Sequence, residues 1–227
     1  MTTTVYTGTH AARPAPGTIN DLYLPSDGAH LNWDSGALWV PWGEVNPMVV
    51  VPTAGWSWVN QGGAVIDESD GAATIYIDSE ASWNLRCRAR AMPGTPWTLT
   101  ACLLGTHQTQ VAYRFTGVFV RDSATGRVLV FGYGTETLYI IHMTDVTTFS
   151  ATAWSQAHFN FQPFWLRVSD DGVNHTFYLS LWGQDWAQVH QQGRATWLAN
   201  ADQIGFFAQA AAAGFGHHAT LLSWEES

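Results

Sequence analysis

The 227-residue chain is 46% hydrophobic and only 12% charged, with a formal net charge of −9 and no lysine, so that all nine of its strong cations are arginines. That balance leaves no basic stripe to meet phosphates, which argues against nucleic acid as a partner, and no run of about eighteen apolar residues is present to insert across a membrane. Thirteen tryptophans and 21 glycines point to aromatic strands divided by tight turns rather than to helices.

Residues 1–17, closing on Arg13-Pro14-Ala15-Pro16-Gly17, carry Thr, Pro and Gly without periodicity and are expected to form a flexible or docking arm. The opening Met1-Thr2-Thr3-Thr4 lacks a basic region followed by an apolar core, so synthesis in a cytoplasm is expected. Residues 18–52 read as a small β-meander. Its strands are Leu22-Tyr23-Leu24, Leu31-Asn32-Trp33 and Leu38-Trp39-Val40-Pro41-Trp42, divided by the turns Pro25-Ser26-Asp27-Gly28 and Asp34-Ser35-Gly36. So small a meander cannot bury its own aromatics and needs the larger domain, a symmetry mate or another protein to pack against.

Residues 53–227 are expected to form one antiparallel two-sheet sandwich. Strands are expected at Trp56 to Val59, Ala73 to Asp78, Asn84 to Ala91, Trp97 to Leu104, Val111 to Arg121, Arg127 to Tyr133, Thr137 to Met143, Gln203 to Gln209 and His218 to Trp224. The small residues Ala208 to Ala213 read as a loop. A hairpin about Pro93-Gly94-Thr95-Pro96 would set Cys87 opposite Cys102, but a reducing cytoplasm favours two buried free thiols.

The hairpin around Asp122 to Gly126 carries the candidate ligand site. With Arg121 opposite Arg127, Phe115, Gly117 and Phe119 share a core face with Leu129, Phe131 and Tyr133. The other face then holds Arg114, Thr116, Val118 and Val120 beside Val128, Val130, Gly132 and Gly134, joined by Tyr139 if the next hairpin turns at Gly134 to Thr137. Arg114, Thr116, Gly132, Gly134 and Tyr139 would make a shallow polar groove with an aromatic platform for a sugar ring. The alternative for that face is a partly exposed surface or an oligomer contact.

Trp165 to Val189 spells two strands and their turns: Trp165, Arg167 and Ser169 alternate with Leu166 and Val168, Asp170-Asp171-Gly172 reverses the chain, and Phe177, Leu179 and Leu181 return. A second reversal, Trp182-Gly183-Gln184-Asp185-Trp186, leads into Ala187-Gln188-Val189. This order resembles the concanavalin A-like (laminin-G-like) jelly-roll sandwiches found in lectins, laminarinase-type glucanases and phage tail proteins. Ala201 to Phe207 and Thr220 to Glu226 are similar to the closing strands of that family, in which the last strand pairs beside the first. The strings Leu22 to Gly28 and Ser35 to Gly43 resemble short modules that precede C-terminal domains in tailed-phage fibre and other virion proteins.

The glucanase branch of the family implies an E-x-D-x-E or E-x-D-x-x-E strand, which sets two carboxylates on one face. That string is absent; Asp67-Glu68-Ser69-Asp70 and Glu225-Glu226 read as solvated loop and tail charges, and no enzyme activity is expected. No G-x-S-x-G occurs, and His217-His218 would point to opposite faces of a strand, which is poor geometry for a shared metal. Asp170, Asp171 and Asn174 could offer oxygens to calcium, as the lectin branch implies, but turn formation accounts for all three and no cofactor is expected. Trp83, Trp97, Trp165, Trp186 and Trp224 are expected to pack between sheets, with Trp186 pinning its hairpin.

The resemblances imply a non-enzymatic structural protein of a phage virion: a tail fibre, spike or decoration protein, homo-oligomeric and trimeric in the fibre and spike families, bound to other virion proteins and adhering to host-surface glycans. A glycan-degrading enzyme on the same fold and a purely structural interaction protein are the alternatives.

Overall fold

The computed structural model describes residues 48–80, 82–105, 113–134, 136–157, 163–211 and 216–227, together with the backbone of four short strands nearer the start of the chain. Two compact units result, Met1–Pro47 with Trp182–Asp185, and Met48–Leu181 with Trp186–Ser227. In the first, β1 (Val5–Gly8), β2 (Leu22–Pro25), β3 (Asn32–Asp34) and β4 (Trp39–Pro41) form one sheet in that order. β2 to β4 are the antiparallel meander read from the sequence. β1 pairs parallel to β2, so part of the segment read as an arm is a strand. The rest of residues 1–17 and the two meander turns, Pro25 and Asp34 apart, lie outside the described residues.

The second unit begins with β5 (Ser57–Val59), β6 (Val65–Asp67), β7 (Ala73–Ile77), β8 (Arg86–Ala91) and β9 (Trp97–Gly105). It continues through β10 (Tyr113–Arg121), β11 (Val128–Gly134), β12 (Thr137–Asp145), β13 (Thr148–Ala157) and β14 (Phe164–Asp170). β15 (Asn174–Ser180), β16 (Ala187–Gly193), β17 (Gln203–Ala211) and β18 (His217–Glu226) complete it. Two seven-stranded sheets form, the first in the order β13-β12-β11-β10-β17-β8-β5 and the second in the order β16-β15-β14-β9-β18-β7-β6. All their pairings are antiparallel.

Alternation decides what lies between the sheets. Leu99, Ala101 and Leu103 on β9 and Leu166 and Val168 on β14 meet Val118 and Val120 on β10, Phe131 on β11 and Ile204 and Phe206 on β17 in one core. Trp97 and Trp224 join that core, as the sequence suggested. Trp165 alternates with Leu166 and so lies on the outer side of the second sheet, and Trp186 stacks on Arg167 at 3.9 Å instead of entering the interior. On β8 three arginines point inward along one side of the sandwich. Arg86 pairs with Glu80, Arg88 with Glu68 at 2.5 Å, and Arg90 with Glu226 at 2.8 Å, while Trp58 and Trp56 lie under the last two guanidiniums. Glu68 and Glu226, read from sequence as solvated charges, therefore tie the β6–β7 connection and β18 to β8.

Three further expectations are corrected. Cys87 and Cys102 are buried free thiols, as expected, but no hairpin sets them opposite, because the residues between β8 and β9 carry the chain from one sheet to the other. Ala208 to Ala211 continue β17, where small side chains fit beneath their neighbours, although Ala212 and Ala213 lie outside the described residues. β18 does not pair beside the first strand; it lies between β9 and β7, and Trp224 N also donates to Val49 O at 3.3 Å. β13 had no counterpart in the expected strands. Its Thr, Ser, Ala and Gln residues give no apolar alternation, and almost all of its length is exposed at a sheet edge. Val111 and Ala112, read as the start of β10, are also outside the described residues.

Candidate concave-face binding site

The outer face of the first sheet carries a second apolar layer: Phe115 and Phe119 from β10, Val128 and Val130 from β11, Ile141 and Met143 from β12, Phe207 from β17, and Leu85, Cys87 and Ala89. Burial pushes the Cys87 thiol far above its ordinary range, so it is inert packing rather than a nucleophile. Leu85 N donates to Val146 O at 2.8 Å. Leu85 precedes β8 and Val146 follows β12, strands that would stand about 19 Å apart across four spacings of a flat sheet. That bond requires the sheet to curl, with its outer face concave. Trp83 reinforces the closure by packing on Phe149 of β13, ring centroids 5.5 Å apart.

A cavity of about 290 Å³ opens at this closure, lined by Trp83, Arg114, Phe115, Gly134, Tyr139, Ile141, Phe149 and Thr152. Its walls are aromatic and mutually braced. Trp83 meets Phe115 edge-on at 6.3 Å, and Phe115 meets Tyr139 edge-on at 5.9 Å. Gly134 lets the Arg114 carbonyl oxygen and the Phe115 ring come close, since a Cβ there would lie 2.9 Å from each.

The hairpin register is one residue off the sequence reading. Arg121 pairs with Val128, not Arg127, because Asp122 extends the turn: its Oδ1 accepts from Ala124 N at 3.0 Å and Thr125 N at 3.1 Å, and Gly126 takes φ +81°. A one-residue slip turns a whole strand over. Val118 and Val120 consequently face the inter-sheet core, and Phe115 and Phe119 face the concave side. Of the five residues grouped by sequence, Gly132, Gly134 and Tyr139 do share the concave face, with Tyr139 directly opposite Gly132. Thr116 does not: it is fully buried between the sheets, its hydroxyl 2.6 Å from His217 Nε2. Arg114 lines the cavity, but it shares Thr116's side by alternation, so its side chain starts on the inter-sheet face while its carbonyl oxygen lies by Gly134. Trp83, expected to pack between the sheets, packs instead on the outer apolar layer and lines the cavity, and Phe149 and Thr152 were missed. Trp83 lies outside any strand pattern, and the other two lie on β13, whose composition hides it.

The remaining candidates resolve into structural roles. Asp170 Oδ1 accepts from Gly172 N at 2.8 Å, and its Oδ2 lies 3.4 Å from His175 Nε2 and 3.3 Å from Arg194 Nε. Asp171 Oδ1 accepts from Val173 N at 2.7 Å and Asn174 N at 2.6 Å, bonds that hold its carboxyl below the usual range. These oxygens shape the turn. Among the described residues no group of three or more His, Cys, Asp or Glu side chains could hold a metal. His217 and His218 part as alternation requires, His217 to Thr116 and His218 to the Tyr76 ring at 4.7 Å.

No protein-family model matches the chain, and no curated protein does. Solved structures do. A functionally unknown protein from Saccharomyces cerevisiae aligns at TM-score 0.57 with 16% identity, over 78% of this chain and 98% of that one. The GH43 BlXynB protein from Bacillus licheniformis aligns at 0.58 and 14%, over 84% of this chain but 40% of its own, so this chain spans two-fifths of that protein. The carbohydrate binding module CBM66 from Bacillus subtilis aligns at 0.50 and 10%, over 79% and 96%. At these identities the likeness is one of fold: the second unit is an all-β, two-sheet antiparallel jelly-roll sandwich of the concanavalin A-like type.

Proposed function

We propose that the chain is a non-enzymatic glycan-binding protein, and that the sugar sits in the aromatic cavity of the concave face. The cavity itself carries the reading: Trp83, Phe115, Tyr139 and Phe149 offer ring faces and edges to C–H groups of a sugar, with hydroxyls of Tyr139 and Thr152 at hand. Among its described lining residues there is no carboxylate, whereas glycoside hydrolysis calls for a pair flanking the scissile bond. The likeness to a carbohydrate binding module supports the same reading at the level of fold. The likeness to a GH43 protein keeps hydrolysis as the competing reading, which a reducing-sugar assay on a polysaccharide panel addresses. Tyr139→Ala should abolish binding on a glycan array while the sandwich stays folded by circular dichroism. Undiminished binding would place the site elsewhere.

The proposal extends to where the protein works. The strings Leu22 to Gly28 and Ser35 to Gly43 support a virion protein of a tailed phage, a homo-oligomer whose first unit attaches to other virion proteins and whose sandwich adheres to the host surface. Mass spectrometry of purified particles tests it, and absence of the protein from the particle would refute it.

A further inference from the structure

The lining of the cavity limits which sugar it can take; this inference rests on the glycan-binding reading above. A volume of about 290 Å³ stands at the bottom of the range of roughly 300–1,000 Å³ for small-molecule pockets, so it holds a single ring and not a length of chain. Apart from Arg114, the polar side-chain groups of its described lining residues are the hydroxyls of Tyr139 and Thr152 and the indole N–H of Trp83. The other side chains on that face, Phe115, Ile141 and Phe149, are apolar. An unsubstituted hexose would have to turn a hydroxyl onto the Phe115, Ile141 and Phe149 part of this wall, where those side chains offer no partner, and a hydroxyl buried without one weakens binding. Arg114's side chain starts on the opposite face of β10, and no other charged residue among those described borders the space, so the aromatic face itself presents no charge to balance a uronate, sialate or sulfate. The net charge of −9 further disfavours an anionic sugar.

We propose that the cavity binds the terminal residue of a glycan when that residue is a neutral sugar bearing a methyl group, a 6-deoxyhexose or an N-acetylhexosamine. The methyl enters among Trp83, Phe149 and Ile141, and the hydroxyls of Tyr139 and Thr152 bond to ring substituents nearer the mouth. The test is saturation-transfer NMR and calorimetry on the full chain with four free sugars, fucose, rhamnose, N-acetylglucosamine and N-acetylgalactosamine, each against its parent hexose and against glucuronic acid. We expect at least one methyl-bearing sugar to bind about tenfold tighter than its parent, with saturation strongest on the methyl protons. The fucose and rhamnose arms separate a 6-deoxy preference from an N-acetyl one. Phe149→Ala, at a residue 41% exposed on an edge strand and so safe for folding, should remove that tenfold margin. Parent hexoses binding as well as their methyl-bearing counterparts, or glucuronic acid binding best, would overturn this inference and leave glycan binding standing. Failure of every sugar, together with silence on a glycan array, would overturn both.

Discussion

Gly132 shows how much a missing side chain can decide. It stands directly opposite Gly117, and a Cβ on it would lie 2.4 Å from the Thr116 carbonyl oxygen and 2.8 Å from Gly117 Cα. No side-chain rotation relieves a clash with backbone. Gly132→Ala should therefore force β10 and β11 apart and cost about 1–3 kcal/mol in a denaturant melt, as overpacked cores do. A variant as stable as the parent would show that the strands can separate freely. From the sequence, Gly132 and Gly134 were legible as open positions beside Tyr139, and the structure gives the reason. For Gly132 it is close approach of two backbones, and for Gly134 it is close approach of the Arg114 carbonyl oxygen and the Phe115 ring. Arg114 and Thr116 could not be assigned from their identities, because their side depends on a register that only the turn at Asp122 sets. The Asp122 carboxylate is correspondingly important. Asp122→Ala removes the acceptor from two turn amides and should lower stability by about 1 kcal/mol, measurable as a shifted urea midpoint at unchanged slope.

At the scale of elements, the side of the sandwich between β13 and β16 is closed by aromatic and imidazole rings. His142 on β12 stacks on Trp197 at 4.6 Å with planes 4° apart, and its Nε2 lies 3.1 Å from Gln192 Oε1. Arg127 covers Trp197 at 4.8 Å, and Trp197 Nε1 donates to Val128 O at 2.9 Å. His190 on β16 lies near Phe177 and Trp154. Burial lowers the pKa of both histidines. Both titrate near 6.5 in the unfolded chain and lower in the fold, so between those points the unfolded state binds more protons. Stability should thus fall as pH drops below about 6.5 and level off beneath the folded pKa. A melting temperature that declines from pH 7 to pH 5, and declines less in His142→Gln, is the expected outcome. A flat profile would mean that the edge opens without resistance. The lowered carboxyls of Asp145 and Asp202 act in a separate window, their stabilisation being lost only as pH falls below about 4. None of this closure could be read beforehand. β13 has the composition of a loop, and a strand recognised only by its pairing to β12 leaves no periodic trace.

For the molecule as a whole, most of the strands, the Asp170-Asp171-Gly172 reversal and the antiparallel sandwich were legible, because such turns mark reversals locally and alternation marks faces, while β1, β6 and β13 were not. Which strands share a sheet was not, since crossing from one sheet to the other leaves no mark in a short loop. The cysteines expose that difference experimentally. Cys87 reports on the first sheet and Cys102 on the second, both fully buried, with burial raising the Cys102 thiol to about 12. A thiol reagent should label neither in native buffer and both at one rate through the unfolding transition if the shared core makes the sheets a single cooperative unit. Two separated rates would show that the sheets come apart in stages.

β17 lies between β10 and β8 in the first sheet, and β18 between β9 and β7 in the second. Both sheets are thus split down the middle until these two late strands arrive. On a ribosome the chain would emerge as four half-sheets with apolar flanks and unpaired edges, unable to close until the stretch beyond Gln203 clears the exit tunnel. Nascent chains stalled before that point should be protease-sensitive and dependent on chaperones, and supplying β17 and β18 as a separate peptide should rescue them only if the half-sheets have stayed soluble.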